Sequence, residues 1–443
     1  MNRFIIQKYV DRGWVLLHQN PLFSSIYILG TALSVALLMV LFIVFYVKFA
    51  PIYPEGNRNR TLVLQYVQAD ERNGHGSSGG PLSPRVPYEL LKGLPHLDAT
   101  AAVYASWGAE EGRAALTVRS AALPVSPKYV DGGFWRVFTF RFLSGRPFSD
   151  ADATAAMPVA VLSARLANRL FGTTEAVGRQ FLFNGNELKV AGVVQDVSWV
   201  TPATAADVWL PLALNPDALW ETGDERLRGS LYVYLTAPNP SDKDALRKEV
   251  REAFRRYNTT CQFYENDILD QPDDYWKSCF RSSYVHDAGS SLTPYIEATL
   301  RPFLYFLLAL IFIPALNLGG IIASRMDSRV GELGIRKAYG ASNFRLLRQI
   351  MNENLLFTSL GSLLGLLLSY VCLWLSSDWI LTIFDTNIDP AMPAPEFTAG
   401  MLLQPAVFVV AVCFCLLLNF LSALVPALLS LRKSIVEQLH QKR

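Results

Sequence analysis

Four stretches of this chain contain no Asp, Glu, Lys or Arg and are dense in Leu, Ile, Val and Phe: Leu22–Val47, Pro302–Ser324, Asn354–Ser377 and Phe397–Leu431. Each exceeds the roughly 20 residues that a helix, rising about 1.5 Å per residue, needs to cross the hydrocarbon core of a bilayer. Buried helices of a large soluble protein rarely run this far without a charge, so the stretches predict four transmembrane helices. They also account for a charged content of only 18%, against about 25% in soluble proteins. The first stretch follows Arg3, Lys8 and Arg12, as a signal peptide would. Its apolar run is far longer than the roughly 7–15 residues of a signal h-region and no clear small-residue cleavage site follows, so it reads as a retained helix.

Basic residues near helix ends mark the cytoplasmic side. Arg3, Lys8 and Arg12 precede helix one, and Arg432, Lys433, Lys442 and Arg443 follow helix four. Arg325, Arg329, Arg336, Lys337, Arg345 and Arg348 lie between helices two and three. The segment between helices three and four holds Asp378, Asp385, Asp389 and Glu396 but no Lys or Arg. The expected organisation is a cytoplasmic segment 1–21, helix one 22–49, an outside domain 50–298, helix two 300–324 and a cytoplasmic loop 325–350. Helix three then spans 351–377, an outside loop 378–400, helix four 401–431 and a cytoplasmic tail 432–443. The basic residues inside 50–298 do not conflict, because long translocated segments are largely exempt from the rule.

The outside segment reads as a folded α+β domain. Apolar, β-rich runs recur at Thr61–Gln68, Ala101–Trp107, Pro158–Leu162, Phe181–Phe183, Leu188–Val194 and Ser230–Thr236. Asn184-Gly185 between two of them is a hairpin signal. Helices are expected over Ser163–Phe171 and from Ser241 to about Tyr257, the latter opening on a capping box formed with Asp244. Leu246, Val250, Ala253 and Phe254 recur at helical spacing on one face of the second. Gly74–Gly80 is expected as a loop. Strands alternating with helices suggest small βαβ layers. Cys372, Cys413 and Cys415 fall in apolar spans and read as packing residues. Cys261 and Cys279 make one possible pair in the outside domain, where oxidation is permitted. A bridge would stabilise by about 3 kcal/mol; the alternative is two free buried thiols.

Catalytic chemistry finds no support. There is no G-x-x-x-x-G-K-[ST] phosphate loop, no G-x-S-x-G and no H-E-x-x-H, and the five histidines are scattered. The adjacent carboxylates Glu110-Glu111 and Asp273-Asp274 read as solvated loops. A net charge of +2 gives no support to nucleic-acid binding. The spans lack the intramembrane ionisable groups of a secondary transporter, Glu353 lying near the cytoplasmic start of helix three. No site residues for catalysis, cofactor or metal are therefore assigned.

The cytoplasmic loop carries the most informative motif, Glu332-Leu333-Gly334-Ile335-Arg336-Lys337-Ala338-Tyr339-Gly340-Ala341-Ser342. It resembles the E-[IL]-G-[IL]-R-[KR]-A-[LIY]-G-A-[ST] signature of MacB/FtsX-type (type VII) ABC transporter permeases. The tail Val425-Pro426-Ala427 followed by Ser434-Ile435-Val436-Glu437-Gln438-Leu439 resembles the family's P-A…P-[IV]-E-[AS]-L ending, with Ser434 where proline is common. Phe138-Thr139-Phe140…Leu143-Ser144-Gly145-Arg146, Leu166-Ala167…Leu170-Phe171-Gly172 and Val190-Ala191-Gly192-Val193-Val194-Gln195-Asp196 resemble motifs of the MacB-like periplasmic domain. Together they cover nearly the whole chain in order.

The resemblance implies an integral membrane α-helical protein of four transmembrane helices with a MacB-like α+β domain, of porter and sabre arrangement, between helices one and two. It implies a non-catalytic permease subunit that transmits ATP-driven motion of a separate ATPase to the outside domain. The chain itself would bind no cofactor, with ATP and magnesium held by that partner. Glu332, Leu333, Gly334, Ile335, Arg336, Lys337 and Gly340 would form the ATPase-coupling segment, with apolar Leu333 and Ile335 docking and the charges setting register. Gly361 and Gly365 form a small-xxx-small pair for close helix packing, and Pro314 would kink or hinge helix two. A second permease chain is expected, identical or a paralogue, with both termini cytoplasmic in a bacterial inner membrane. A periplasmic adaptor and an outer-membrane channel are left open. The cargo would be a peptide, antibiotic, lipoprotein or similar molecule for export or efflux. The competing readings are an FtsX-like regulator of cell-wall hydrolases and a membrane-anchored sensor or binding protein without ATPase coupling.

Overall fold

The computed structural model describes residues 21–74, 76–105, 112–198, 201–281 and 335–375, with scattered helical positions over 293–309 and 408–428. The chain divides into two units, one of residues 47–299 and 381–396, the other of residues 1–46, 300–380 and 397–443. The elements in chain order are α1 Pro21–Phe49, β1 Thr61–Leu64, β2 Val67–Glu71, β3 Ser77–Gly80, β4 Ala99–Tyr104, β5 Gly112–Ala115, β6 Leu123–Val125, β7 Pro127–Val130, α2 Phe134–Val137, β8 Phe142–Gly145 and α3 Asp150–Thr154. They continue with β9 Val159–Ser163, α4 Ala164–Phe171, β10 Gln180–Phe183, β11 Asn186–Val194, β12 Val208–Pro211, β13 Leu231–Thr236, α5 Lys243–Thr260, β14 Tyr264–Asp267, β15 Asp273–Asp274, α6 Tyr275–Arg281 and α7 Asn343–Leu375.

In the 47–299 unit, twelve of the described strands form one mixed sheet in the order β15-β1-β13-β4-β7-β12-β9-β11-β10-β5-β6, with β8 against β11. The parallel pair β9/β11, with α4 between the two strands in the chain, fits the expected βαβ layering; β7/β12 is a second parallel pair. Side chains alternate between the faces of a strand, and here both faces are covered. Val63, Val161, Trp209 and Tyr234 enter an aromatic-rich core beneath α2. Their neighbours Leu62, Leu64, Val233 and Leu235 join the core under α5, and Ala160, Leu162, Val208 and Leu210 join the core under α4. Leu246, Val250, Ala253 and Phe254 are the buried face of α5, as their spacing requires.

Asn184 and Gly185 take φ of 48° and 85° and close the β10–β11 hairpin, the two-residue turn the sequence indicates. Ser163 caps α4, its hydroxyl accepting from the Leu166 N–H at 3.1 Å. Two local expectations are corrected. Ser77–Gly80 is a strand, paired with Val67–Asp70. Its small residues serve close packing, since a Cβ on Gly79 would lie 1.7 Å from the Tyr66 hydroxyl. Ser241 and Asp244 form no capping box; Asp242 stands at the N-cap of α5, and its side chain makes no capping bond. A capping box does occur at Ser149, whose hydroxyl accepts from the Asp152 N–H while its own N–H donates to the Asp152 carboxylate at 2.9 Å.

The proposed Cys261–Cys279 bridge is absent: no disulfide joins the two residues. Each donates to a carbonyl of its own helix, Cys261 to Tyr257 at 3.4 Å and Cys279 to Tyr275 at 3.5 Å. Cys261 ends α5, whereas Cys279 packs against the aromatic core from α6, so they belong to different neighbourhoods. Cys372 and Cys413 are exposed, not packed as expected; Cys415 lies outside the described residues.

Just after α1 the chain buries an ion pair. Glu55 and Arg58 side chains are 0% and 2% exposed, with Arg58 Nη2 2.7 Å from Glu55 Oε2. Arg58 Nη1 donates to the carbonyls of Val47 and Ala50, each at 2.8 Å, meeting two acceptors at the end of α1. Thr204 donates to Glu55 Oε1 at 2.9 Å and the Tyr275 hydroxyl donates to Oε2. The Arg58 guanidinium lies 4.7 Å from the centre of the Tyr275 ring. Despite burial, which works against the cation, the Glu55 carboxylate holds Arg58 firmly charged.

Candidate coupling segment

In the second unit, α1 and α7 are the two described helices long and apolar enough to cross a membrane. They pack closely where the glycines permit it. A Cβ on Gly361 would lie 2.7 Å from Thr31 Cβ, and one on Gly365 would lie 2.7 Å from Val35 Cβ and 2.6 Å from the Ala32 carbonyl oxygen. The small-xxx-small pair of α7 is thus filled by α1 of the same chain. Tyr27 extends the contact through a 3.2 Å hydrogen bond with Thr358 and a ring contact with Phe357. The outward residues Leu29 and Leu33 of α1, with Leu363 and Leu367 of α7, are all exposed. Pro314 lies outside the described residues, as do Glu332, Leu333 and Gly334.

The remaining part of the coupling motif is a single helical turn over residues 335–338 with a defined stop. Gly340 takes φ +85°, the left-handed conformation glycine adopts without steric cost. Its N–H donates to the Lys337 carbonyl at 2.9 Å and the Ala341 N–H donates to Arg336 at 3.0 Å. That pair of bonds is a Schellman ending. The next helix starts at once, with the Ser342 hydroxyl accepting from the Arg345 N–H at 3.3 Å. Helix three therefore begins at Asn343, eight residues before the expected 351, because the Ser342 cap follows directly on the glycine stop. Charge density in 343–350 concealed this start; Arg345 and Arg348 are exposed on the first two turns.

Arg336 is drawn back onto α7, donating to Gln349 Oε1 at 2.8 Å, and so braces the turn. Ile335, Tyr339 and Phe344 are left 50%, 89% and 73% exposed. Three large apolar side chains flanking a glycine stop on an otherwise polar segment make a surface suited to a partner. Tyr339 and Phe344 were not among the expected docking residues; Tyr339 stood in the motif, but its side-chain exposure depends on where Gly340 ends the turn.

A family model described as the MacB-like periplasmic core domain matches residues 24–253, and one described as the FtsX-like permease C-terminal region matches residues 304–435. The "Uncharacterized ABC transporter permease YknZ" of Bacillus subtilis is 21% identical over 310 residues, covering 70% of this chain and 72% of the relative. The "Pyoverdine export ATP-binding/permease protein PvdT" of Pseudomonas savastanoi is 23% identical over 377 residues, covering 81% of this chain and 51% of the relative. The chain thus spans about half of PvdT's length. The solved extracellular domain of YknZ from Gram-positive bacteria aligns at 15% identity and TM-score 0.32 over 46% of this chain and 99% of that domain. The periplasmic region of MacB from Actinobacillus actinomycetemcomitans aligns at 13% identity and TM-score 0.30, over 51% of this chain and 94% of that one. With one family model spanning more than half of the chain and the other most of its C-terminal part, in the order the motifs require, the chain belongs to the MacB/FtsX-type ABC transporter permeases.

Proposed function

We propose that this permease transmits the motion of a separate ABC ATPase through its helices to the outside domain, and that the 332–344 segment is where the ATPase docks. The observation that carries the reading is the braced turn presenting Ile335 and Tyr339 beside Phe344. An apolar surface framed by Arg336 and Lys337 fits a groove with an acidic rim, the apolar part supplying affinity and the charges register. Four spans rest on the uncharged apolar runs, cytoplasmic termini on the charge pattern, and an inner-membrane location on the family resemblance. A second permease chain, identical or a paralogue, is part of the same reading, because ABC ATPases act in pairs. Names of relatives such as PvdT and MacB, which refer to pyoverdine and macrolide export, favour export of a cargo handled outside the membrane. The printed names of relatives, an ABC transporter permease and ATP-binding/permease proteins, favour ATP and magnesium chemistry supplied by an ABC ATPase.

The test is affinity purification from native membranes with mass spectrometry. An ABC ATPase is expected with the wild-type chain. Ile335→Asp combined with Tyr339→Ala is expected to lower its recovery at least about tenfold, since each loses an apolar anchor worth more than about 1 kcal/mol. Unchanged recovery would place docking elsewhere.

A further inference from the structure

The outside domain contains a cavity of about 460 Å³ that the coupling role does not use. It lies at the carboxyl ends of the parallel neighbours β7 and β12, where Val130 leads into Asp131-Gly132 and Pro211 into Leu212-Ala213. Crevices outside the carboxyl ends of parallel strands are where open α/β sheets bind ligands, because the chain leaves the strands there and polar backbone and loop side chains converge. Glycine is required at this bend. A Cβ on Gly132 would lie 2.4 Å from the Asp150 nitrogen, and one on Gly133 would lie 1.9 Å from the Thr100 carbonyl oxygen.

The charge arrangement is asymmetric. Asp131 is 8% exposed, with one carboxylate oxygen accepting the Phe134 N–H at 3.0 Å. Arg136 and Asp150 neutralise each other at 2.7 Å, with side chains 60% and 57% exposed. Lys92 also lines the cavity and is exposed. The buried charge-bearing group is therefore an acid with no cationic partner among the described ion pairs. Burial pushes its carboxyl up to about 7, with the nearby Asp150 charge adding to the rise. Beside it stand Tyr88, whose hydroxyl reaches the Asp131 carboxylate, and the apolar Pro87, Leu212 and Leu219, and an aromatic face attracts cations.

We propose that this cavity binds a small molecule carrying a primary ammonium on an apolar body, with Asp131 as the counter-ion. An ammonium entering beside Asp131 favours the ionised carboxylate, so binding near neutrality displaces the carboxyl proton to solvent. The site is independent of the ATPase-docking reading, since the cavity lies wholly within the 47–299 unit.

The test uses the full chain in detergent and isothermal calorimetry at pH 7 with three probes of one shape: benzylamine, benzyl alcohol and benzoate. Benzylamine is expected to bind roughly tenfold or more tightly than benzyl alcohol, as a net gain of about 1.4 kcal/mol gives. Repeating the titration in buffers of different ionisation enthalpy is expected to show net proton release on benzylamine binding. Asp131→Asn keeps an acceptor for the Phe134 N–H and is expected to abolish both the preference and the proton release. Thr154→Trp, placed at the rim, is expected to weaken all three probes. Benzylamine binding no tighter than benzyl alcohol, tighter binding of benzoate, no binding of any probe, or a preference that survives Asp131→Asn would each overturn the proposal. If Asp131→Asn does not fold, undiminished benzylamine binding by Thr154→Trp would overturn it as well.

Discussion

Arg58→Met is the perturbation that most directly tests the buried ion pair of the outside domain. Removing the guanidinium leaves the fully buried Glu55 carboxylate without a cation and takes the donor from the Val47 and Ala50 carbonyls. Breaking a buried pair by deleting one partner costs about 3–5 kcal/mol, chiefly because the surviving charge is uncompensated. In a domain of this size each kcal/mol moves the unfolding midpoint by about 2–4 °C, so a fall of about 6–20 °C is expected. The readout is thermal unfolding of the detergent-solubilised chain followed by tryptophan emission, Trp209 being fully buried in the core beneath α2. The double variant Glu55→Gln with Arg58→Met separates charge from shape. Gln keeps an acceptor for Thr204 and Tyr275 while removing the orphaned charge, so at least about half of the lost stability should return. A midpoint shift for Arg58→Met no larger than the roughly 0.5 kcal/mol of a surface change, or strict additivity in the double variant, would refute the reasoning.

Gly365→Val forces side-chain atoms into Val35 and the Ala32 carbonyl, and overpacking of this kind costs about 1–3 kcal/mol. Engineered cysteines at Tyr27 and Thr358 are expected to cross-link, and to cross-link less with this glycine replaced. The Asp131 carboxyl, raised to about 7 in the folded domain, keeps a proton between about pH 4 and 7 that the unfolded chain has released. Its contribution therefore favours folding at low pH and is lost as pH rises through that window, by up to about 4 kcal/mol. Tyr88, Asp150, Arg136 and Lys92 face the same cavity, and Asp131→Asn is expected to flatten that part of a melting-against-pH profile. Alkylation of the denatured, unreduced chain is expected to label both Cys261 and Cys279, with no mobility difference on non-reducing gels; a protected pair would contradict the absence of a bridge.

What was legible in the sequence was what short-range chemistry dictates. Uncharged apolar runs can only be buried or placed in lipid, and two of the four appear as long helices among the described residues. Alternation in β1, β9, β12 and β13 sorts side chains to opposite faces whatever lies above them, and the helical spacing of Leu246, Val250, Ala253 and Phe254 marks the buried stripe of α5. Asn184-Gly185 and Gly340 announce turns because their backbones reach positive φ at little steric cost.

Tertiary structure decided everything that depends on which distant segments meet. Glu55 and Arg58 read as ordinary polar residues until Thr204 and Tyr275, 149 and 220 residues away from Glu55, close over them. Asp131 is a buried acid in a cavity lined by Tyr88, Leu212 and residues of α2 and α3, distant from it in the chain or across turns. The two outside cysteines looked like a natural pair, but α5 and the aromatic core hold them in separate surroundings. Gly361 and Gly365 marked a close helix contact, yet only the packing showed that Thr31 and Val35 of the same chain fill it. Local pattern sets which faces must be covered; the free energy of covering them selects the partners, and that choice is made over the whole chain at once.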